Sequence, residues 1–158
     1  MSTANRMFNK EKNPTLEITS IADFNKFNVR SFLSQVSEFY PGFDAWLNFK
    51  FLRGLASGER KVLIIQDKGE IAGVSLIKIS TEEKKICTFY ISPIHTGRGF
   101  GTKLMADTLA HFEGSVDITV CEERNSELSC FLIKCGFNLV STRVGCYRPQ
   151  TTEYFYTR

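Results

Sequence analysis

The fold is decided between Ile86 and Thr102, where the chain reads ICTFYISPIHTGRGFGT. The apolar run Ile86–Ile91 predicts a buried strand, Ser92-Pro93 ends it, and an amphipathic helix is predicted from Thr102 to Phe112. Three glycines lie between the strand and the helix: Gly97, Gly99 and Gly101. Glycines let a backbone approach a phosphate closely, and the free N–H groups and dipole of a helix start attract negative charge. The stretch therefore predicts an anion site.

The composition is that of an ordinary globular protein. The chain has 158 residues, of which 42% are hydrophobic and 23% charged, and its formal net charge is +3. We predict a single domain over residues 15–158, preceded by a mobile leader at residues 1–14. A net charge of this size does not indicate a dedicated nucleic-acid binder, but it suits an anionic ligand.

The five cysteines are odd in number and contain no C-x-x-C pair. This pattern argues against a zinc site and against a disulfide framework, so we predict no metal and a reducing compartment. The sequence has no apolar run of the ~20 residues that a membrane span needs, and its first residues resemble no signal peptide. The prediction is a cytoplasmic protein without a membrane partner.

Periodicity predicts the element order β-α-α-β-β-β-α-β-α-β-β. The predicted strands are Thr15–Thr19, Arg60–Gln66, Glu70–Ile79, Ile86–Ile91, Val116–Cys121, Phe137–Cys146 and Glu153–Tyr156. The predicted helices run from Ser20 to Tyr40, from Ala45 to Ala56, from Thr102 to Phe112, and from Asn125 (as N-cap) to Cys135. Hairpins imply antiparallel pairs, and the helix between the fourth and fifth strands implies a parallel pair. The fold class is therefore α/β, with a mixed sheet of about seven strands and four helices.

The glycine loop resembles the signature of the GNAT superfamily of N-acetyltransferases. That signature, Q/R-x-x-G-x-G/A between a strand and a helix, corresponds to Thr96–Gly101, with Thr96 in place of the usual Gln or Arg. Ile91-Ser92-Pro93 resembles the preceding V-x-P of the family, and Gly136-Phe137 resembles the end of its last helix. The resemblance implies a GNAT-like acyl-CoA N-acyltransferase fold.

Two competing nucleotide motifs do not fit the loop. A Rossmann fingerprint needs a third glycine three positions after Gly101, where this chain has Leu104. A Walker A loop needs G-K-[ST], and Gly101-Thr102-Lys103 has the wrong order.

The resemblance implies that acetyl-CoA binds as the co-substrate. Its pyrophosphate would lie on backbone amides from Gly97 to Thr102, its pantetheine arm along Phe89–Ile91, and its thioester carbonyl near the N–H of Ile91. Arg98 would add a phosphate contact. The full implied set is Phe89, Tyr90, Ile91, Gly97, Arg98, Gly99, Phe100, Gly101, Thr102 and Asn125.

The proton-transfer residues are less clearly indicated. Many relatives have a Tyr as general acid four residues before the helix-ending glycine, and this chain has Leu132 there. Glu122 and Glu123, at the carboxyl end of the fifth strand, are the candidate bases, and Tyr147 or Tyr90 the candidate acids. Each Glu could equally be a solvated loop charge or an acid favoured at a helix start.

Several other residues have both a functional and an ordinary interpretation. His95 is predicted to be an exposed loop histidine, His111 a charge at a helix end, and Cys121 a small buried side chain. Aromatic residues of the first helices could line an acceptor pocket or simply pack on the sheet: Tyr40, Phe43 and Trp46. Arg143 and Arg148 could recognise an acidic acceptor or be strand-edge charges.

The predicted function is transfer of an acetyl group from acetyl-CoA to a primary amine, by direct attack in a ternary complex. The resemblance implies a small-molecule or peptide acceptor, and it makes the last hairpin a place for a homodimer contact. The first alternative is an acyl-CoA-binding regulatory module without turnover, motivated by Leu132. The second is a GNAT toxin that acetylates aminoacyl-tRNA, the one nucleic-acid partner considered.

Overall fold

The computed structural model describes residues 14–158 of the chain. The leader predicted for residues 1–14 therefore lies outside the described residues, except for Pro14.

Seven strands form one mixed sheet in the order β1-β2-β3-β4-β5-β7-β6. Their bounds are β1 Thr15–Ile18, β2 Arg60–Asp67, β3 Glu70–Ile79, β4 Lys84–Ile91, β5 Asp117–Cys121, β6 Asn138–Val144 and β7 Thr152–Thr157. Neighbouring strands are antiparallel except β4 and β5, which are parallel. The fold class, the strand number and the single parallel pair are as the sequence predicts.

The helices follow the predicted order, but the first two predicted helices are each broken. The α-helices are α1 Ile21–Lys26, α2 Val29–Ser37, α3 Phe43–Trp46, α4 Arg53–Ser57, α5 Phe100–Leu109 and α6 Glu122–Lys134. Asn28 separates α1 from α2 with a left-handed φ of 57°, a conformation that Asn tolerates better than most residues. A π-helical turn, Leu47–Phe51, separates α3 from α4.

Each face of the sheet carries its own hydrophobic core. Helices α1–α4 cover one face, where Phe24, Leu33 and Phe51 are fully buried. Helices α5 and α6 cover the other, where Leu104 and Leu132 are fully buried. We call these the α1–α4 face and the α5–α6 face. Burial of apolar area at roughly 25 cal/mol per Å² makes both cores strong constraints on strand register.

Strands β4 and β5 separate soon after they begin. Their parallel pairing comprises two positions, Lys85 with Asp117 and Ile86 with Ile118. The remainder of β4 continues to pair with β3 on its other side, as far as Ile91 opposite Gly73. The edge of β4 that faces β5 is therefore unpaired by any described strand after Ile86, and a gap opens between the two strands.

Two predicted helix starts are wrong. Helix α6 begins at Glu122 directly after β5, so the polar break at residues 122–125 and the N-cap role of Asn125 do not exist; Cys121 is the N-cap residue. The acids Glu122 and Glu123 lie in the first turn, where the helix dipole favours negative charge. Helix α5 begins at Phe100, two residues before the predicted Thr102, because Gly99 adopts the left-handed geometry of its N-cap.

Candidate active site

The glycine loop has the open backbone that an anion site requires. Gly97 and Gly99 have φ values of 79° and 85°, and a Cβ built on either would meet no atom within 4 Å. These two positions need glycine for its backbone conformation, and the space beside them is open. Gly99 precedes α5 directly, so the first-turn N–H groups of that helix, which have no intrahelical acceptor, lie at the loop.

Gly101 has a different role from the other two glycines. A Cβ at this position would lie 3.5 Å from the Ile91 side chain and 3.7 Å from the Phe131 ring. These are ordinary van der Waals distances, so Gly101 lies between the end of β4 and α6 at a position where a Cβ would fit.

Asp67, in the β2–β3 hairpin, contacts two residues at the glycine loop. One oxygen of Asp67 lies 3.1 Å from Arg98 Nη1 and 3.5 Å from His95 Nε2. His95 is only 4% exposed and its ring packs edge-on against Phe100 at 5.6 Å. The prediction of an exposed His95 is wrong, because the hairpin turn, distant in sequence, covers it. Arg98 is half exposed, at 51%, beside the open loop.

The end of β4 connects the loop to the gap between β4 and β5. Phe89 points to the α5–α6 face, where its ring stacks on Phe131 at 5.8 Å. Tyr90 points to the α1–α4 face, donates its hydroxyl hydrogen to Gln35 Oε1 at 3.2 Å, and packs under the Arg124 guanidinium. Residues Phe89–Thr102 thus form one continuous segment from the gap to the start of α5.

A cavity of about 580 Å³ opens on the α1–α4 face, where β4 and β5 begin to separate. Six aromatic residues line it: Tyr40, Phe43, Trp46, Tyr147, Phe155 and Tyr156. Tyr40 and Tyr147 meet edge-on at 5.9 Å. The first residues of β4 and β5 also line it, and its charged lining residues are of both signs: Glu82, Glu83, Lys84, Lys85 and Asp117. None of the described residues in its lining belongs to the glycine loop.

Tyr147 is the one predicted catalytic residue that lines this cavity. It is 52% exposed, and burial of its ring raises the pKa of its phenol above the usual value. The hydroxyl is therefore protonated at neutral pH and can donate a proton. Tyr40, on the opposite wall, has a pKa raised further in the same direction, again mainly by burial.

Glu122 and Glu123 tie the start of α6 to the loop between β6 and β7. The N–H of Thr152 donates to Glu122 Oε1 at 3.3 Å, and Arg148 donates to Glu123 Oε2. The hydrogen bond from Arg148 lowers the pKa of Glu123 to about 2. A carboxylate with so low a pKa binds protons weakly near neutrality, which makes Glu123 a weak base.

Leu132 and Asn125, both on α6, have partners within the fold. Leu132, at the position of the usual family tyrosine, is fully buried in the α5–α6 core. Asn125 Oδ1 accepts a hydrogen bond of 2.6 Å from the Tyr156 hydroxyl. Cys121 is fully buried, which confirms the prediction of a small buried side chain.

The sequence analysis missed Glu153. This residue is 1% exposed, and neither of its carboxylate oxygens has a hydrogen-bond partner among the described residues. Burial raises its pKa to about 7. The sequence signal is one acid inside the apolar run TEYFYT, at a position that shares a strand face with Phe155.

Residues 14–158 contain no group of three or more His, Cys, Asp or Glu side chains arranged to hold a metal ion. Across the same residues no helix has the length and apolar character to cross a membrane.

Comparison with known proteins gives one family and a common fold. A family model described as an acetyltransferase (GNAT) domain matches residues 33–144, more than half of the chain. No curated protein matches the sequence significantly.

Three solved structures illustrate the structural likeness. A protein of Desulfovibrio desulfuricans assigned to the GNAT family has a TM-score of 0.68 at 10% identity, covering 92% of this chain and 98% of that one. The Escherichia coli enzyme that acetylates an alanine of a ribosomal protein has a TM-score of 0.63 at 12% identity, covering 92% of each chain. A GNAT acetyltransferase of Elizabethkingia anophelis with acetyl-CoA bound has a TM-score of 0.54 at 15% identity, covering 67% of this chain and 80% of that one.

Proposed function

The chain belongs to the GNAT acetyltransferase family, and we propose that it transfers the acetyl group of acetyl-CoA to a primary amine held in the aromatic cavity. The observation that carries the proposal is the continuity of residues 89–102, in which an unpaired strand edge leads into an open glycine loop at a helix start. An acyl-CoA has an extended amide-rich arm and a pyrophosphate, which match these two features in the same order.

In this proposal the cofactor's pyrophosphate binds the first-turn amides of α5 and the loop from Gly97 to Thr102. Arg98 is positioned by Asp67 and adds its charge at the loop. The pantetheine arm pairs with the free edge of Phe89–Ile91 as an added strand would. The thioester then lies in the gap between β4 and β5, where a backbone N–H near Ile91 stabilises the developing oxyanion.

The acceptor approaches the same gap from the α1–α4 face. Its amine attacks the thioester carbon directly in a ternary complex, the C–N bond forms, and the C–S bond breaks. A lysine-like ammonium must first lose a proton, at a cost of about 4–5 kcal/mol at pH 7. We propose Tyr147 as the general acid, because its protonated phenol lines the cavity. The base role of Glu122 or Glu123 stays a prediction.

The aromatic walls favour an acceptor with an apolar group next to its amine. Tyr, Trp and Phe rings stabilise both apolar surface and a cationic amine above their faces. The Escherichia coli structural neighbour acts on the alanine of a protein chain, so we propose the amine of a peptide, or of a similarly sized small molecule, as the acceptor class. A homodimer and a cytoplasmic location stay predictions.

The first experiment is a thermal shift with acetyl-CoA on the wild type, on Gly99→Glu and on Gly58→Glu. Gly58 is a matched control, because its φ of 81° is close to the 85° of Gly99 and its surroundings are equally open, but it lies at the end of α4. At 100 times its Kd, acetyl-CoA should stabilise the wild type by about 2.7 kcal/mol. The shift should persist in Gly58→Glu and vanish in Gly99→Glu; a shift that both variants keep would contradict binding at the loop.

A regulatory acyl-CoA-binding module is the second candidate. It is favoured by the burial of Leu132 in the core, where the family's usual tyrosine acid is absent. Amine-dependent release of the CoA thiol by the purified protein would exclude this candidate. Acetyl-CoA binding without thiol release across an amine panel would support it.

A further inference from the structure

Arg124 is a buried arginine with few partners. It lies in the first turn of α6 and is only 8% exposed. Its Nε lies 3.5 Å from Glu127 Oε1 but makes no hydrogen bond with any described residue. The Glu127 side chain is 65% exposed, and the neighbouring acid Glu123 is paired with Arg148. A buried cation with so incomplete a set of partners costs free energy, which indicates a role other than packing.

The guanidinium of Arg124 lies across the gap between β4 and β5. Helix α6 follows β5 directly, yet the guanidinium carbon lies 5.0 Å from the centre of the Tyr90 ring on β4. On β4 only Lys85 and Ile86 pair with β5, so Arg124 connects the two strands where they are apart. A guanidinium that lies over a ring keeps its N–H groups in its own plane, where they are available to an anion.

The aromatic cavity reaches the same part of the gap. Thr88 of β4 and Thr119 of β5 both line the cavity, and both lie beyond the positions at which the two strands pair. Thr88 and Tyr90 share the α1–α4 face, because alternate residues of a strand do, and they are roughly 7 Å apart along β4. The Arg124 guanidinium, over Tyr90, therefore lies about the length of one amino acid from the cavity lining.

The charge of Arg124 also acts on a residue of the cavity wall. Burial raises the pKa of Tyr40, which lines the cavity, and of Tyr90, while the nearby charge of Arg124 lowers the pKa of both. Aromatic walls favour an apolar group, and a desolvated guanidinium favours a carboxylate, which it can bind through two parallel hydrogen bonds. The two features together fit a ligand that has both groups close to each other.

We propose that Arg124 binds the carboxylate of the acceptor, and that the acceptor is an α-amino acid with an apolar or aromatic side chain. The carboxylate lies on Arg124, the side chain enters the aromatic cavity, and the α-amine lies between them at the gap. This inference rests on the proposed function and narrows its acceptor class to free amino acids, because a peptide has no carboxylate next to its terminal amine. The bonds formed and broken are those given above, and Arg124 takes no proton.

The test compares amino acids with the amines that lack only their carboxylate. L-phenylalanine is paired with phenethylamine, L-tryptophan with tryptamine and L-leucine with isoamylamine, and release of the CoA thiol is followed. We expect Arg124→Met to lose about 30-fold or more in kcat/KM with the preferred amino acid, mainly through KM, but less than about threefold with its matched amine. The Kd for acetyl-CoA should be unchanged.

Further variants separate this role from a structural one. Arg124→Lys keeps the charge without the planar fork and should recover part of the lost activity with the amino acid. Arg30→Met is the control, because Arg30 also lies over a ring, that of Phe24 at 5.6 Å, but is exposed on α2. Arg124→Met should unfold at the same or a higher temperature than the wild type, since it removes a buried charge. Equal losses with amino acid and amine would overturn the proposal.

Equilibrium binding completes the test without turnover. In the presence of CoA, the N-acetyl derivative of the preferred amino acid should bind the wild type at least about tenfold more tightly than Arg124→Met, measured by isothermal titration calorimetry. Failure of the N-acetyl derivatives of all three amino acids to bind the wild type, or equal Kd values in the two proteins, would overturn the proposal. Absence of acetyl-CoA binding and of all thiol release in the wild type would instead contradict the proposed function itself.

Discussion

The two ends of the candidate site are built from different parts of the chain. The proposed cofactor end is mostly main chain from one continuous stretch, Phe89–Thr102, where we propose that glycine geometry and free amides bind the cofactor. The acceptor end is mostly side chains, brought from the α2–α3 turn, β4, β5, β6 and β7 to one cavity. A side-chain substitution therefore changes the acceptor end directly, whereas the cofactor end is altered mainly through backbone geometry.

The largest effect is expected at the aromatic wall. Trp46 packs against Phe43 and Phe51 at 5.6 and 5.4 Å, so Trp46→Ala should cost about 3 kcal/mol of unfolding free energy. It should also raise the KM for the acceptor and leave the Kd for acetyl-CoA unchanged. Phe49→Ala is the control, because Phe49 is in the same segment but 65% exposed. A higher Kd for acetyl-CoA in Trp46→Ala would contradict the view that the two ends bind their ligands independently.

The next effect is a pH dependence of stability that originates at Glu153 on β7. The folded-state pKa of Glu153, about 7, exceeds an unfolded value near 4.5, so the folded state binds more protons and stability falls as the pH rises between these values. The wild type should lose up to about 3 kcal/mol over this window. Urea unfolding of Glu153→Gln should lack this loss, so the variant should be the more stable protein at pH 8. If the unfolding free energies of the two proteins changed with pH in parallel, this prediction would be wrong.

A smaller effect is expected at the support of the cofactor loop. Asp67→Asn removes the partner of Arg98 and His95, and should weaken acetyl-CoA binding by about 1 kcal/mol, or roughly fivefold in Kd. The acceptor KM should not change, and isothermal titration calorimetry with steady-state kinetics separates the two constants. Glu70→Gln, an exposed acid in the same hairpin, is the control. If Asp67→Asn changed the KM for the acceptor and left the Kd for acetyl-CoA unchanged, Asp67 would belong to the acceptor end instead.

The smallest effect is expected from the pair of Glu123 and Arg148. The folded-state pKa of Glu123, about 2, is below its unfolded value, so its stabilisation is present above pH 4.5 and is lost as the pH falls toward 2. Because Glu123 is 38% exposed, solvent screening limits the contribution to about 0.5 kcal/mol. Thermal unfolding of Glu123→Gln at pH 7 and pH 3 measures it, and an effect above 2 kcal/mol would show a role beyond a surface ion pair.

The features that sequence analysis predicted best are those whose structure depends on local geometry. Gly97, Gly99 and the strand that ends at Ile91 were found because a strand, a loop and a helix start are encoded by neighbouring residues. His95 was misjudged because the hairpin that buries it is 28 residues away, at Asp67. Glu153 was missed because its burial and its lack of a hydrogen-bond partner depend on how β7 packs against β5 and β6, which no local pattern shows.

The amino-acid sequence by itself determined the mixed sheet, the order of its elements and the glycine loop. Hydrophobic periodicity and glycine spacing are local properties of the sequence. They therefore predict a strand, a helix or a turn without knowledge of what that element packs against. Only the tertiary structure decided the early separation of β4 from β5, the aromatic cavity and the burial of Glu153. These features depend on contacts between residues far apart in the chain, and burial is what changes the protonation of a carboxyl from that of an exposed one.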